Sequence, residues 1–596
     1  MHRSAEIPKW VRALGSCLVA AAVCGFLMLC VHIGNTDDDW SIAFYLSNRL
    51  PGTGLSLYIN ALLSQLIHGL NMAIPRFSWF FVAEYASVWL ALSAALYSAV
   101  SYVRKTSAAV FLSFLMLYIL PYCIAESNFT YVAGFCAAIG GLMLVAQVGR
   151  KGVGWFARAV AIVLCCLGLM WRSKMLLMLT PFIAAAYCWR LWGVVREEGV
   201  TLRSKRLLAI ILPAALSVVC CLGLTGYDRL VWQRDGWQQW RSYDSVRSVL
   251  SDFPMPPYDE VASELSSMGI SGNDYYMLLQ WGNADVDVLN KSVVESVTTL
   301  QEPPIQGPKD ILRAAWQYTR GSLGKWKFFA LIVFALVAAR YKRKGTYGIA
   351  ALELAIAGAE CAYFLALGRL LPRVEDPAWA CALAMCVALS AEGALAEGGS
   401  GALEVDGDGA AAHMKAPHVS RARRAWGVGL ACCASLVLVA TVALQARRIA
   451  PYMDAAAFKA TLHQDTYVSD GSLSQYFEAF PQATFVMETT VHTRYELEYG
   501  FRYFPTKELA PRVMPLGGWG SGSPFRKAQC ELVGASNPYQ ALISNDNTFL
   551  ISDEGTSQRV LTFLQEHYDS NVTCTRIMKF PSEDGSISMW KFMIAG

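Results

Sequence analysis

Apolar blocks of about 20 residues recur along this chain, and each is long enough to cross the hydrocarbon core of a bilayer as a helix. Eleven blocks stand out: 11–33, 79–100, 106–122, 129–148, 157–171, 175–191, 207–225, 326–340, 346–367, 378–394 and 425–445. Glu392 interrupts the block at 378–394, and losing that span would put the C-terminal region on the other side of the membrane. Composition points the same way. Hydrophobic residues make up 55% of the chain and charged residues 16%, where soluble domains carry about 25% charged residues. A cytosolic globular protein, a disordered chain and a disulfide scaffold are all excluded. The formal net charge of +4 gives no support to a nucleic-acid partner.

Lys and Arg set the orientation, because basic connections stay in the cytoplasm. The N-terminus carries Arg3, Lys9 and Arg12, and every even-numbered connection is basic, for example Arg150, Lys151 and Arg158, or Arg203, Lys205 and Arg206. Eleven spans then place the N-terminus in the cytoplasm and the C-terminus outside a multi-pass plasma-membrane protein. The first block has a basic start and an apolar core but lacks a cleavage site before a polar sequence, so it reads as an uncleaved span.

The expected fold is therefore a polytopic α-helical membrane protein of about eleven transmembrane helices with an external C-terminal α/β domain. Residues 1–445 form the transmembrane domain, with a first external loop at 34–78, a large external loop at 226–325 and an Ala/Gly-rich cytoplasmic linker at 392–424. Residues 446–596 form the external domain. Within it, strands are expected at 483–487, 548–552, 571–580 and 587–594, and a helix at 559–568. Fifteen of the seventeen cysteines lie in or beside apolar blocks. The other two, Cys530 and Cys574, fall in the external domain, where an oxidising exterior permits a disulfide; two free thiols are the alternative.

The first external loop carries the sharpest signal. Asp37, Asp38 and Asp39 follow the first span directly, where carboxylates are costly unless hydrated or functional. After a Pro-Gly turn, Leu55 to Asn71 places Ser56, Asn60, Ser64, His68 and Asn71 on one helical arc, too polar to span and suited to the membrane interface.

That layout resembles the GT-C class of integral-membrane glycosyltransferases, and GtrII-like bacterial cell-surface polysaccharide proteins most of all. The resemblance implies a donor sugar carried on a polyprenyl phosphate and an acceptor that is a cell-envelope polysaccharide or a lipid-linked glycan. It also implies an essential acidic residue among Asp37, Asp38 and Asp39. Chemistry then demands a base for the acceptor hydroxyl and positive charge beside the departing lipid phosphate. A divalent metal, Mg or Mn, held by Asp38 and Asp39 could supply or assist that charge. His32 and His68, which bracket the acidic cluster, could join such a set, although no spaced metal motif is present.

Two short external connections break the charge rule. One holds Arg172 and Lys174, the other Arg369 and Arg373. They read either as a clamp for the lipid phosphate or as side chains snorkelling to headgroups. Glu84 and Glu360 lie toward the outer end of their spans and read as substrate-binding or structural groups. Trp237 and Trp240 suit either a sugar face or an aromatic belt. Trp519, in the Gly-rich stretch 517–522, reads as part of a surface loop or an acceptor-binding loop. The resulting expectation is a membrane glycosyltransferase. The alternatives are a flippase for lipid-linked saccharides and a non-catalytic glycan-binding envelope protein.

Overall fold

The computed structural model describes residues 8–30, 37–52, 54–76, 78–102, 128–150, 152–198, 204–301, 307–323, 345–390, 472–492, 508–580 and 587–595. The expected spans at 106–122, 326–340 and 425–445, the linker at 392–424 and His32 lie outside the described residues. The protein is mostly helical, with a small C-terminal sheet.

Among the described residues, six helices are long and apolar enough to cross a membrane. They belong to α1 (Lys9–Cys30), α4 (Trp79–Tyr102), α5 (Phe129–Gln147), α7 (Ser173–Glu198), α8 (Lys205–Trp232) and α14 (Thr346–Ala366). Two more apolar helices complete the described bundle, α6 (Trp155–Trp171) and α15 (Pro372–Ser390). The outward faces are apolar, as a helix surrounded by lipid requires: Leu29 on α1 is 89% exposed, and Leu222 and Tyr363 are exposed on α8 and α14.

α5 is buried along its whole length and forms the centre of the bundle. Small residues let neighbouring helices approach it closely. At Gly134 a Cβ would lie 2.7 Å from Pro377 of α15, so only glycine fits that crossing. One end of this core is locked by Arg190 of α7. It is buried and donates to the Val148 carbonyl beyond α5 and to the Ala388 carbonyl of α15, both at 3.1 Å. These are helix C-terminal carbonyls without intrahelical partners, and a cation suits them.

Two short helices lie between α1 and α4: α2 (Asp37–Tyr45) and α3 (Ala61–Ala73). The expected interfacial helix begins later than the polar arc suggested. Leu55 to Asn60 is not helical, and Asn60 caps α3 by accepting the Leu62 N–H. The arc is also turned inward. Ser64 and Asn71 are buried while Leu66, 55% exposed, and Leu70 face out. Asn71 donates to the Leu46 carbonyl at 2.8 Å and accepts the Trp79 N–H, tying α2 to α4 through α3.

Four helices follow α8: α9 (Trp237–Asp252), α10 (Tyr258–Ser267), α11 (Gly272–Leu279) and α12 (Lys291–Thr298), with α13 (Pro308–Leu323) after them. The C-terminal region adds α16 (Ser472–Ala479), β1 (Thr484–Met487), β2 (Val513–Pro515), α17 (Pro524–Leu532), α18 (Pro538–Ser544), β3 (Thr548–Ser552), α19 (Glu554–His567), β4 (Val572–Lys579) and β5 (Ser588–Ile594). Its five strands run in the order β2-β1-β3-β5-β4. β1 is parallel to both β2 and β3, and β5 is antiparallel to β3 and β4. Tyr243, Leu265, Tyr275 and Val294 from the helices after α8 share one hydrophobic core with Val486, Leu550, Phe563 and Trp590. The two stretches that are separate in sequence are thus packed as one body.

The Cys530–Cys574 disulfide expectation is corrected: both thiols are free. Cys530 sits on α17 with its sulfur 4.0 Å from that of Met514 on β2, one edge of the sheet. Cys574 lies on β4, the opposite edge. Four strand spacings of about 4.8 Å separate those edges, far beyond disulfide reach.

Candidate functional site

The acidic cluster opens α2, and helical geometry divides its labour. Successive residues turn by about 100°, so consecutive carboxylates cannot share a face. Asp39 points into the bundle. It is 0% exposed, and its Oδ1 accepts the backbone N–H of Phe129, the first residue of α5, at 2.7 Å. A buried carboxylate there satisfies an orphan donor and faces the positive end of the helix dipole. The expectation of Asp39 as base or metal ligand is therefore corrected to an anchor for the central helix. Asp38 points elsewhere. Its Oδ2 lies 3.3 Å from Nη1 of Arg373, the second residue of α15, and both side chains are about a third exposed. Asp37 begins the helix.

Arg172 is the single residue between α6 and α7. Its guanidinium carbon lies 5.2 Å from the ring centre of Tyr58 and 5.1 Å from that of Phe129, so two aromatic faces hold it. Arg369 pairs with Asp252, the last residue of α9. One turn earlier on the same helix, Arg247 donates Nε and Nη2 to Asp244 Oδ1 at 2.9 and 2.6 Å, in a buried pair. Arg247 also lies over the Trp281 ring.

Tyr58 joins these groups. Burial pushes its phenol up, the negative charges of Asp244 and Asp38 push it further, and Arg247 and Arg172 oppose them. Burial pulls the Arg172 guanidinium down, Tyr58 and Asp38 hold it up, and Arg373 is close enough to add to the fall. Burial likewise raises Asp244, against the pull of Arg247. Asp38, Arg172, Asp244 and Arg373 thus act on one another across four distant chain segments. Three of the four arginines are ion-paired. Arg172 alone has no ion pair with a described carboxylate, leaving one cation in surplus.

The remaining expected residues lie around this cluster in different roles. Lys174 is exposed on the first turn of α7. His68 turns its Nδ1 to the Leu46 carbonyl, 3.2 Å away, at the other end of α2 from the aspartates. Glu84 is buried near the start of α4, and Glu360 is half-buried on α14. Trp237, Trp240 and Trp519 do come together, but as packing. Trp240 is fully buried, donates to the Trp519 carbonyl at 2.8 Å and stacks on the Trp519 ring at 6.3 Å. Trp519 in turn meets Tyr45 of α2 edge-on at 4.7 Å and Tyr58 at 5.1 Å. The expected sugar-facing role of Trp240 gives way to a core role, since both its face and its N–H are occupied. The 517–522 stretch is glycine-rich for the same reason: a Cβ on Gly517 would collide with the Trp281 carbonyl oxygen. It is a wedge between α2 and the helices after α8, not a free surface loop.

The described donors do not fit a divalent metal at this site. Asp38 faces an arginine, Asp39 is committed to α5, and His68 is held elsewhere. One described group of acids with a histidine does converge: Asp274, Glu566 and His567. There His567 Nε2 lies 2.8 Å from Asp274 Oδ1, and Asp274 completes the capping box of α11, which accounts for the cluster.

Tyr58, Arg247 and Asp252 did not stand out as site residues in the sequence, and Asp244 did so only as one of the charges interleaved with the aromatics of 226–258. Only the Asp244–Arg247 pair, three residues apart on a helix, left a local signal. No protein family, curated protein or solved structure matches the chain. The arrangement supplies a carboxylate, several guanidinium groups and one surplus cation in a partly buried place, chemistry suited to an anionic, phosphate-bearing ligand.

Proposed function

We propose that the protein is a membrane glycosyltransferase of the GT-C kind. It transfers a sugar from a polyprenyl-phosphate donor to a cell-envelope polysaccharide or lipid-linked acceptor at the outer face of the plasma membrane, with the N-terminus cytoplasmic. The observation that carries this reading is the meeting of Asp38 with Arg373 and Arg172, near the Arg369–Asp252 pair, at the end of the bundle where α1 delivers the acidic cluster. The acceptor hydroxyl attacks the anomeric carbon and gives its proton to Asp38. The bond from that carbon to the lipid phosphate breaks, and the electron pair leaves on the phosphate oxygen. Arg172, with no carboxylate of its own among the described residues, takes up that charge. Arg373 orients Asp38, and Arg369 extends the cationic rim. No step is routed through a metal, because the described donors do not form a site for one.

The test is reconstitution of the full chain in vesicles with labelled polyprenyl-phosphate sugars and a lipid-linked acceptor. Formation of a labelled glycoside that depends on Asp38 supports the reading. Full transfer by an Asp38→Asn protein would sink the mechanism.

A second reading, a transporter of lipid-linked saccharides, has one observation in its favour. Glu353 on α14 is 0% exposed, and neither carboxylate oxygen has a hydrogen-bond partner. A lone buried acid within a span is a feature of translocation pathways. Net lipid movement across vesicles with no glycosidic bond formed would favour it.

A further inference from the structure

The C-terminal region buries a guanidinium that has no carboxylate beside it. Arg526 is the third residue of α17 and only 4% exposed. Its Nη1 donates to Gln529 Oε1, and Gln529 gives its amide to the carbonyls of Ala510, Pro511 and Val513 at 3.1, 3.1 and 3.0 Å. One half of the fork is thus fixed by a side chain that is itself fixed. The other half is unspent: Nη2 is buried with no hydrogen-bond partner. Among the described residues, no carboxylate forms an ion pair with Arg526. A base and a thiol feel its charge instead. Burial pulls the His492 imidazole down, and Arg526 pulls it further. Burial pushes the Cys530 thiol up to about 11, and Arg526 opposes that rise.

A buried charge without a counter-charge is strongly destabilising, and a buried donor without an acceptor adds to the cost. The surroundings of Arg526 suit an anion that would remove both penalties. Side chains on a helix lean toward its N-terminus, so this guanidinium reaches back to the stretch 517–523 that leads into α17. A Cβ on Gly520 would lie 2.8 Å from Tyr45 Oη and 3.6 Å from Arg526 Nη2, so glycine leaves room there that any side chain would fill. The hydroxyl of Ser521, the next residue, is buried and also without a partner. Two turns hold the stretch in shape, Ser521 N–H to the Gly518 carbonyl and Ser523 N–H to the Gly520 carbonyl, both at 3.2 Å. The positive end of the α17 dipole lies at the same place. Two unspent donors, a guanidinium charge and a helix N-terminus are thus gathered around one glycine.

We infer that Arg526, Ser521 and the start of α17 bind a small inorganic anion, with chloride as the expected occupant. Both side chains are more than nine-tenths buried, which suits a compact ion rather than a glycan or a lipid headgroup. The ion would fasten two parts of the chain. Trp519, next to Gly520, meets Tyr45 of α2 and Tyr58, and Tyr58 lies against Arg172. The anion therefore steadies the stretch that joins the C-terminal region to α2, one aromatic layer from the acidic end. The inference does not depend on the reaction proposed there.

The test uses the full chain purified in a neutral detergent and unfolded by heat in sodium chloride or sodium gluconate at one ionic strength. Chloride should raise the unfolding temperature saturably and slow hydrogen exchange in peptides covering 517–532. Arg526→Gln should weaken the apparent chloride affinity at least about tenfold, because a charged donor is lost. Ser521→Ala should weaken it about fivefold, because a neutral donor is lost. Lys527→Gln is the control, since Lys527 carries the same charge on the next residue but is exposed. Equal unfolding in chloride and gluconate overturns the inference, as does an equal loss of the chloride effect in Lys527→Gln. If Arg526→Gln fails to fold, Ser521→Ala decides, because it removes one donor and keeps the charge. Undiminished chloride affinity in that protein overturns the inference.

Discussion

At the acidic end of the bundle, Arg247, Arg369 and Arg373 each face a carboxylate, and Arg172 lies between two aromatic rings. At the basic end, Lys9, Arg12, Arg150 and Arg206 surround a cavity with no described acid among its lining residues. The same residue type is used in two ways. Pairing fixes a guanidinium in direction and place, at the cost of its net charge. At the basic end Lys9 and Arg150 are held by the Gly152 and Tyr102 carbonyls, so their place is fixed through neutral acceptors. The first arrangement suits chemistry that needs atoms positioned.

The contrast can be broken most directly at Asp38. If the acidic end is catalytic, Asp38→Asn lowers transfer about 10²–10⁴-fold in the vesicle assay. Arg172→Gln lowers the turnover number about 10²–10³-fold, with a smaller change in the Michaelis constant. Equal transfer by either variant would make the acidic end structural. The next effect concerns stability. Asp244→Asn leaves Arg247 buried without its partner and costs about 3–5 kcal/mol, read as earlier unfolding in denaturant. Replacing the pair together, Asp244→Leu with Arg247→Met, should recover most of that loss. A smaller change follows Asp39→Ala, which removes the carboxylate at the start of α5 and costs about 1 kcal/mol. Its transfer rate per folded molecule should fall far less than that of Asp38→Asn, separating two neighbours on one helix. The smallest effect is expected at the basic end away from the cavity. Arg158→Gln should shift stability by no more than about 0.5 kcal/mol and leave transfer unchanged.

Local patterns in the sequence reached the sheet better than they reached the site. The strands read at 483–487, 548–552, 571–580 and 587–594 correspond to β1, β3, β4 and β5 within one residue at each end. Apolar runs bounded by turn residues carry that information locally. β2 was missed because it is three residues long and ends in Pro515 before two glycines, too short for any period to appear. The polar arc of α3 was visible, but its direction was not. In water such an arc faces out, and here the outer face meets apolar surroundings. Asp38, Arg172, Arg369 and Arg373 stood out because each departs from the charge pattern of its neighbourhood. Tyr58 and Asp252 gave no such contrast, since their importance arises from contacts across more than a hundred residues. The tryptophans were conspicuous for composition, and Trp240 proved to be core. Aromatic richness marks packing as readily as it marks recognition.

The full enclosure of α5 also has a consequence for how the protein is made. Helix α15, whose Pro377 covers Gly134, begins 225 residues after α5 ends at Gln147. At about 5–20 residues per second, the ribosome needs roughly 10–45 s to supply that cover. During this interval one side of the central helix stands open to lipid or to the insertion machinery. Gly140 and Gly141 already face Cys165 of α6 and Ile183 of α7, but Gly134 still lacks Pro377, and the nascent bundle waits for a partner encoded far downstream. A chain cut short before residue 372 would keep the axle and lose the wall that closes it.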